Sequence, residues 1–310
     1  MAMLQGMLTV AEKVLILFLM IGVGVVLAKK KVITDIGVGQ INSLLLNIVS
    51  PCVVIKAFQI DRGSVPLSSL GWTVAMAALA FVLPILVTHF LFNKEPLDKS
   101  RVLKFSAIYS NSGFMGLPLV QAILGEPGVI YASIFIAIFN MVSWTHGYAL
   151  MSGGQKQPLK KIVLNPGTLG VLIGLPLFLF SIDLPTPIYT VVDSFAALNT
   201  PVAMVCIGVY IASVKLKDAF TELRVYKACF FRLVLFPALF FVILIPFHPP
   251  YLAFVSLTIQ ASAPAAAVTS IFASKCGRDA ALASKIVAIS TLLSILTMPV
   301  FTSLATTFCT

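Results

Sequence analysis

Long apolar segments, separated by short polar ones, run through almost the whole chain. Hydrophobic residues make up 59% of the sequence, charged residues make up 10%, and the mean hydropathy is +1.04. A helix needs about 20 apolar residues to cross a hydrocarbon core of about 30 Å. A chain of 310 residues with this composition is predicted to be an all-α integral membrane protein, with no segment long enough for a soluble domain.

Ten transmembrane helices can be drawn from these apolar segments. Their expected bounds are 8–28, 40–60, 68–92, 103–124, 128–150, 163–181, 192–213, 228–247, 251–274 and 284–307. Of the 21 lysines and arginines, 17 fall in the alternate loops on one side of this arrangement. Because basic loops favour the cytoplasmic side, the sequence predicts a multi-pass protein of the cytoplasmic (inner) membrane, with both termini on the outer side.

Several classes of function are disfavoured by how the polar residues are distributed. The net charge of +10 comes from clusters at the ends of apolar segments, so it indicates contact with membrane lipids and no nucleic-acid partner. The five cysteines and three histidines show no metal-ligand spacing, and no Walker sequence is present. We therefore expect that the protein is not an enzyme and that it has no catalytic residue, no metal and no cofactor.

Lys13, Lys56 and Arg232 lie within spans but close to their ends, where snorkelling to the headgroups is expected. Trp144 is expected at the membrane interface.

One apolar segment, from Phe105 to Gly125, is interrupted by polar and helix-breaking residues at its centre. Proline removes a backbone donor, and glycine lowers the stability of a helix. In hydrocarbon the freed backbone groups need partners, so such a break survives only where protein or a watery cavity surrounds it. The segment from Asn111 to Pro118 is therefore a candidate substrate site.

The two halves of the chain resemble each other. Leu46–Pro51 has a shorter counterpart in Leu198–Pro201, Pro84 corresponds to Pro237, and the interrupted fourth span corresponds to Gln260–Pro264. Five spans is an odd number, so the second copy would enter the membrane inverted, which is typical of alternating-access transporters. The expected division is a first repeat at 1–150, a cytoplasmic linker at 151–162 and a second repeat at 163–310.

Three motifs resemble the auxin efflux carrier family, which includes bacterial carriers beside the plant auxin exporters. They are Asn111–Pro118, Asn165–Gly174, and Gln260–Pro264 followed by Phe272–Lys275. The resemblance implies two inverted five-helix repeats in which spans 4 and 9 are broken and cross. It also implies a scaffold of spans 1, 2, 6 and 7, a transport domain of spans 3–5 and 8–10, and Asn111, Pro118 and Pro264 at the crossover.

The chain departs from the plant members in two respects. Span 3 carries no acidic residue, and only about a dozen residues separate spans 5 and 6. Auxin itself is therefore not the expected substrate, and the bacterial members are the closer model.

The residues at the expected crossing are suited to binding an anion. A helix that restarts within the membrane presents free N–H groups and about half a positive charge, and we expect such starts at residues 116–118 and 264–266. The candidate substrate-binding residues are Asn111, Ser112, Gly113, Gly116, Pro118, Gln260, Ser262 and Pro264, with Asn47 and Asn199 opposite them. The alternative for the polar members is that they satisfy freed backbone groups or join helices.

These features favour a secondary carrier of small organic anions, such as mono- or dicarboxylates or auxin-like acids, working by alternating access. A sodium-coupled solute symporter with a related inverted repeat is a second interpretation of the same features. A non-transporting membrane sensor or scaffold is a third, from another class. All 11 acidic residues lie away from the expected bilayer midplane, so no carboxylate is available there to exchange protons. The sequence leaves the coupling ion open, and also whether the protein forms a homodimer.

Overall fold

The computed structural model describes residues 2–158, 160 and 164–308. Within them the chain is helical and contains no β-strand, although an isolated backbone bridge pairs Ser110 with Ala265. The expected start of the sixth span and the end of the linker fall on residues 159 and 161–163, outside the described residues.

The described α-helices, numbered along the chain, differ greatly in length. They are α1 (Ala2–Lys29), α2 (Asp35–Leu44), α3 (Ser50–Ala57), α4 (Leu67–Phe90), α5 (Leu97–Ile108), α6 (Leu117–Val142), α7 (Tyr148–Ser152), α8 (Pro166–Leu179), α9 (Thr186–Ala197), α10 (Asn199–Ala212), α11 (Leu216–Phe220), α12 (Leu223–Phe230), α13 (Phe236–Leu244), α14 (Tyr251–Ser262), α15 (Val268–Lys275) and α16 (Ala280–Phe308).

Seven helical stretches among the described residues are long and apolar enough to cross a membrane. They are Val10–Lys29, Ile36–Ala57, Leu67–Phe90, Ser112–Ser152, Thr186–Ala212, Leu223–Phe247 and Ala280–Phe308. Thr168–Leu179 and Tyr251–Ser262 are shorter apolar helices. The structure is thus that of a multi-pass helical membrane protein.

The stretch Ser112–Ser152 covers two of the expected spans. A straight helix of its 41 residues would be about 60 Å long, roughly twice the hydrocarbon core. Gly125 interrupts it with φ 66° and ψ −162°, a conformation that glycine adopts readily because it has no Cβ. Pro127 follows two residues later, so the chain changes direction at this point.

Four π-helical turns widen the described helices. They are Leu45–Val49, Ser112–Gly116, Ser143–Gly147 and Phe231–Leu235. Three of them are followed closely by a proline, namely Pro51, Pro118 and Pro237. A proline cannot donate to the carbonyl four residues before it and clashes with that group, and a π turn relieves the clash by lengthening the local hydrogen-bonded loop. The helices therefore continue through these prolines.

Two helix pairs of the expected scaffold make unusually close contacts through glycines. A side chain at Gly24 of α1 would collide with the Val205 carbonyl of α10, and one at Gly208 of α10 would collide with the backbone of α1. Between α3 and α8, a Cβ at Gly174 would lie 2.7 Å from the ring of Phe58. Small residues that let helix backbones approach are a common basis of helix packing in membranes.

Candidate functional site

A cavity of about 480 Å³ lies at the centre of the helices, and its walls are rich in amide side chains. Six asparagines line it: Asn42, Asn47, Asn111, Asn140, Asn165 and Asn199. Apolar and aromatic side chains, among them Phe114, Phe139 and Trp144, make up much of the remaining wall. Of the described residues that line the cavity, none carries a charge.

Three of the four π turns contribute to this wall. Leu46 and Asn47 come from the first, Ser112 to Phe114 from the second, and Ser143 and Trp144 from the third. A π turn shifts the side chains that follow it relative to those before it, and such turns often occur at functional sites. The π turns therefore help to determine which polar groups face the cavity, and a proline closely follows two of these three turns.

Much of the buried part of the cavity wall is formed by two broken helices. Helix α5 ends at Ile108 and helical structure resumes at Ser112, whereas α14 ends at Ser262 and α15 begins at Val268. The intervening backbones pair side by side: the Asn111 N–H donates to the Pro264 carbonyl at 2.6 Å, and the Ala266 N–H donates to the Tyr109 carbonyl at 2.9 Å. This pairing gives partners to backbone groups that would otherwise be unsatisfied within the membrane.

Both helices restart facing the cavity. Ser112, Gly113 and Phe114 line it at the start of the second π turn, and Ala266, Ala267 and Val268 line it at the start of α15. Both restarts differ by a few residues from their predicted positions. Helical structure resumes at Ser112 where 116–118 was predicted, and at Val268 where 264–266 was predicted. Pro118 sits in the first turn of α6, already inside helical structure, while Ala263 before Pro264 is extended, with φ −62° and ψ 150°.

Buried donors without partners surround these two helix starts. The side-chain amide nitrogens of Asn111 and Asn199 have no hydrogen-bond partner, nor do the hydroxyl groups of Ser110 and Ser112. Asn111 is 6% exposed, Asn199 is 2% exposed, and both line the cavity. Because a buried polar group without a partner costs free energy, these donors are poised to bind a polar ligand.

The guanidinium of Arg232 lies on the other side of the crossing, where the first halves of the two helices end. It donates to the carbonyls of Ala107 and Ile108 at the end of α5, at 3.3 and 2.9 Å, and to Ala261 at the end of α14. The snorkelling predicted for this residue is wrong, since its side chain is buried and satisfies helix-end carbonyls. Arg232 therefore holds together the negative ends of both helices.

The structure divides the predicted site residues into two groups. Asn47, Asn111, Ser112, Gly113 and Asn199 all line the cavity, and the Asn47 amide also donates to the Ser43 carbonyl at 2.7 Å.

Gly116, Pro118, Gln260, Ser262 and Pro264 are not part of the cavity wall. Gly116 leaves room for the side chain of Gln260, whose buried amide has no hydrogen-bond partner. The Ser262 hydroxyl donates to the Ile259 carbonyl at 3.1 Å. Of these five residues, Pro264 takes part in the backbone pairing, because its carbonyl accepts from the Asn111 N–H.

Asn42, Tyr210 and Trp144 are among the residues of the cavity wall that sequence reasoning missed. Trp144 was predicted at the membrane interface, but it lines the cavity and packs edge-on against Phe272, with ring centroids 5.0 Å apart. Asn42 stands five residues before Asn47, a spacing that does not share a face of a regular helix. Pro51 follows the π turn that contains Asn47, but Pro84 lies within a regular α-helix, so a proline alone did not predict this turn.

A second cluster lies at the opposite end of α3 from Asn47. The Lys56 ammonium is 3.0 Å from Glu126 Oε1 and 2.9 Å from Asp193 Oδ1. Snorkelling of Lys56 stays a prediction, and the structure adds that two carboxylates from neighbouring elements pair with this side chain. The cluster joins α3, the bend in α6 and α9.

The chain was then compared with known protein families. A family model described as "Membrane transport protein" matches it in two segments, residues 9–160 and 154–302. The chain belongs to the membrane transport protein family. The resemblance to the auxin efflux carriers, which are members of this family, is thereby confirmed.

Two relatives of this membrane transport protein are known by name. A protein of Rhizobium meliloti named "Putative malonate transporter" is 24% identical over 279 residues, covering 84% of each chain. A protein of Methanothermobacter thermautotrophicus named "Uncharacterized transporter" is 22% identical over 297 residues, covering 94% of this chain and 96% of the other. The similarity to these transporters extends over nearly the full length of the chain.

Proposed function

We propose that this membrane transport protein is a secondary carrier that moves small organic anions across the cytoplasmic membrane by alternating access. The observation that carries the proposal is the meeting of two helix starts and several unpartnered amide and hydroxyl donors at one cavity. Helix N-termini bind anions through their free N–H groups and their partial positive charge. The name of the Rhizobium relative, which refers to malonate, supports an organic anion as the substrate.

The proposed topology has ten spans in two inverted repeats, at residues 1–150 and 163–310. Seven stretches qualify by length, and Gly125 divides one of them into the second half of the fourth span, whose first half is α5, and the fifth span. The short helix α8 and the broken span formed by α14 and α15 bring the total to ten. Single cysteines at Gln155 and Asp183, in a background without native cysteines, should label from opposite sides of the membrane. Labelling of both from the outside of intact cells would refute this topology.

The cavity is proposed to be the substrate site of an inward-facing state. Its lining includes Gly39, Asn42 and Asn165, which lie near the predicted cytoplasmic ends of spans 2 and 6. The Lys56 cluster lies at the predicted outer ends of spans 2 and 7 and at the bend between spans 4 and 5. In this proposal the scaffold of spans 1, 2, 6 and 7 faces a transport domain of spans 3–5 and 8–10.

The test is ligand-dependent stabilisation of the purified protein, followed by transport. A panel of mono- and dicarboxylates should include compounds that raise the melting temperature, because a ligand that binds only the folded state stabilises it. Those compounds should exchange across proteoliposomes that contain the protein. Stabilisation by neutral solutes alone, with no response to any carboxylate, would rule out the proposed substrate class.

A further inference from the structure

The two broken helices bring charges of both signs to the crossing, and a side chain neutralises only one sign. Their first halves end at Ile108 and Ser262, and each end contributes about half a negative charge. The buried Arg232 binds the carbonyls at both ends, so its single positive charge balances them. The positive charge of the two restarts at Ser112 and Val268 is left facing the cavity.

This remaining positive charge amounts to about one elementary charge. The described residues of the cavity wall add no charged side chain to it. Helix α8 also begins at the cavity, at Asn165 and Pro166, but these residues are partly exposed, so solvent screens its contribution. The buried end of the cavity is therefore matched to one negative charge.

The unpartnered hydrogen-bonding groups at the cavity are also suited to a ligand with one negative charge. The amides of Asn111 and Asn199 and the hydroxyl of Ser112 are buried donors that an ionised carboxylate, which only accepts, would satisfy. Asn42 differs from them, because it lines the cavity and its buried side-chain oxygen has no hydrogen-bond donor. A neutral carboxyl group or a hydroxyl group supplies the donor that this oxygen needs, whereas a second carboxylate does not.

We infer that the cavity takes its substrate as a monoanion, either a monocarboxylate or a dicarboxylate that keeps one carboxyl group protonated. The inference rests on the proposed function and narrows it. A dianion would bring a second charge into a cavity whose described lining has no cation, and burying an unpaired charge is costly. The neutral carboxyl group would instead donate to an oxygen such as that of Asn42.

The test compares malonate with monomethyl malonate, which has the same carbon chain but only one ionisable carboxyl group. Binding to the purified full-length protein is measured by calorimetry at about pH 5.5 and about pH 8, in sodium and in choline salts. Malonate loses its second proton between these two pH values, so it is mostly a dianion at about pH 8. The ester should bind equally at both pH values, whereas malonate should bind about tenfold or more weakly at the higher pH.

The outcomes separate this inference from the proposal on which it rests. Malonate that binds as tightly as the ester at the higher pH, in either salt, would overturn the monoanion inference and leave organic-anion transport standing. Absence of binding by malonate, the ester and the wider carboxylate panel would overturn both. The constant charge of the ester is the internal control for any effect of pH on the protein itself.

A substitution tests the same inference from the protein side. Asn47 lines the cavity and is exposed, so N47K should place a cation there without disturbing buried packing. It should raise the affinity for malonate relative to the ester by about tenfold at the higher pH. Q155K is the matched control, because Gln155 is exposed and lies outside the cavity wall. An unchanged preference in N47K would contradict charge-based selection.

Discussion

The Lys56 ammonium lies 3.0 Å from Glu126 Oε1, and this ion pair connects α3 with the bend in α6. In the proposed division, Lys56 belongs to the scaffold and Glu126 to the transport domain. The same lysine also pairs with Asp193, 2.9 Å away, which belongs to the scaffold. The first pair would therefore have to break when the outer side opens, and the second would not.

Replacing Glu126 with Gln should shift the protein towards its outward-open state. Partly exposed ion pairs contribute about 0.2–1 kcal/mol, so the ratio of the two states should change by about 1.4-fold to fivefold. The distance between spin labels at the exposed positions Ala122 and Thr186 reports this ratio. D193N is the matched control and should have the smaller effect. Equal shifts in both variants would show that the Glu126 pair does not act as a gate.

The second prediction concerns Asn111, whose side-chain amide is buried beside the cavity without a partner. Asn111→Ala should weaken substrate binding by about 1–3 kcal/mol, because the ligand loses a buried hydrogen bond. The backbone N–H of residue 111 keeps its bond to Pro264, so expression should be preserved. Affinity is measured by calorimetry with a ligand identified in the carboxylate panel.

Thr258→Val supplies the matched control for Asn111. The Thr258 hydroxyl is also buried and unpartnered, but this residue does not line the cavity. Its replacement should leave affinity unchanged. If Asn111→Ala binds as tightly as the Thr258 variant, the Asn111 side chain does not contribute to substrate binding.

Arg232 is expected to be essential for stability. Arg232→Met would leave the carbonyls of Ile108 and Ala261 buried without their charged donor, at a cost of about 3 kcal/mol. The melting temperature in detergent measures this effect. Arg224→Met is the comparison, since Arg224 pairs with Glu95 and Glu222 at the protein surface and should change stability little. Similar melting temperatures for the two variants would contradict the role given to Arg232.

The contact between α1 and α10 gives a prediction that is independent of transport. Gly24→Ala should destabilise the protein by about 1–3 kcal/mol, because its methyl group would collide with the Val205 carbonyl. Gly22 on the same helix has open space at its Cβ position, so Gly22→Ala should be neutral or slightly stabilising. Thermal unfolding of both variants makes the comparison. A milder effect of the Gly24 change would mean that the helices can separate at little cost.

The sequence was most informative where a local rule determines the backbone. Hydropathy predicted a multi-pass helical membrane protein, and the prolines and glycines near Pro118 and Pro264 predicted interruptions close to where they occur. The displacement of the first restart followed from the π turn at Ser112–Gly116, which lets a helix pass through Pro118. Five of the candidate residues line the cavity, because they belong to the helix starts or to the opposite wall.

What the sequence could not supply were contacts between distant segments. From the sequence, Arg232 is a basic residue near the end of a span. Only the structure shows that α5 and α14 end beside it and that it binds their carbonyls. Trp144 has the position of an interfacial aromatic residue, and its place in the cavity wall depends on the π turn Ser143–Gly147. Lys56 likewise depends on carboxylates 70 and 137 positions further along the chain, at Glu126 and Asp193.

The backbone pairing between Tyr109–Asn111 and Pro264–Ala266 has a practical consequence for mutagenesis. Its two hydrogen bonds join main-chain groups, and Ala265 and Ala266 already carry the smallest ordinary side chain. Alanine scanning therefore cannot detect the contact that joins the two broken helices, because it leaves the main-chain hydrogen bonds in place. Ala266→Pro, which deletes the N–H that donates to Tyr109, changes the contact itself, and an ester linkage at the same position would do so without altering any side chain.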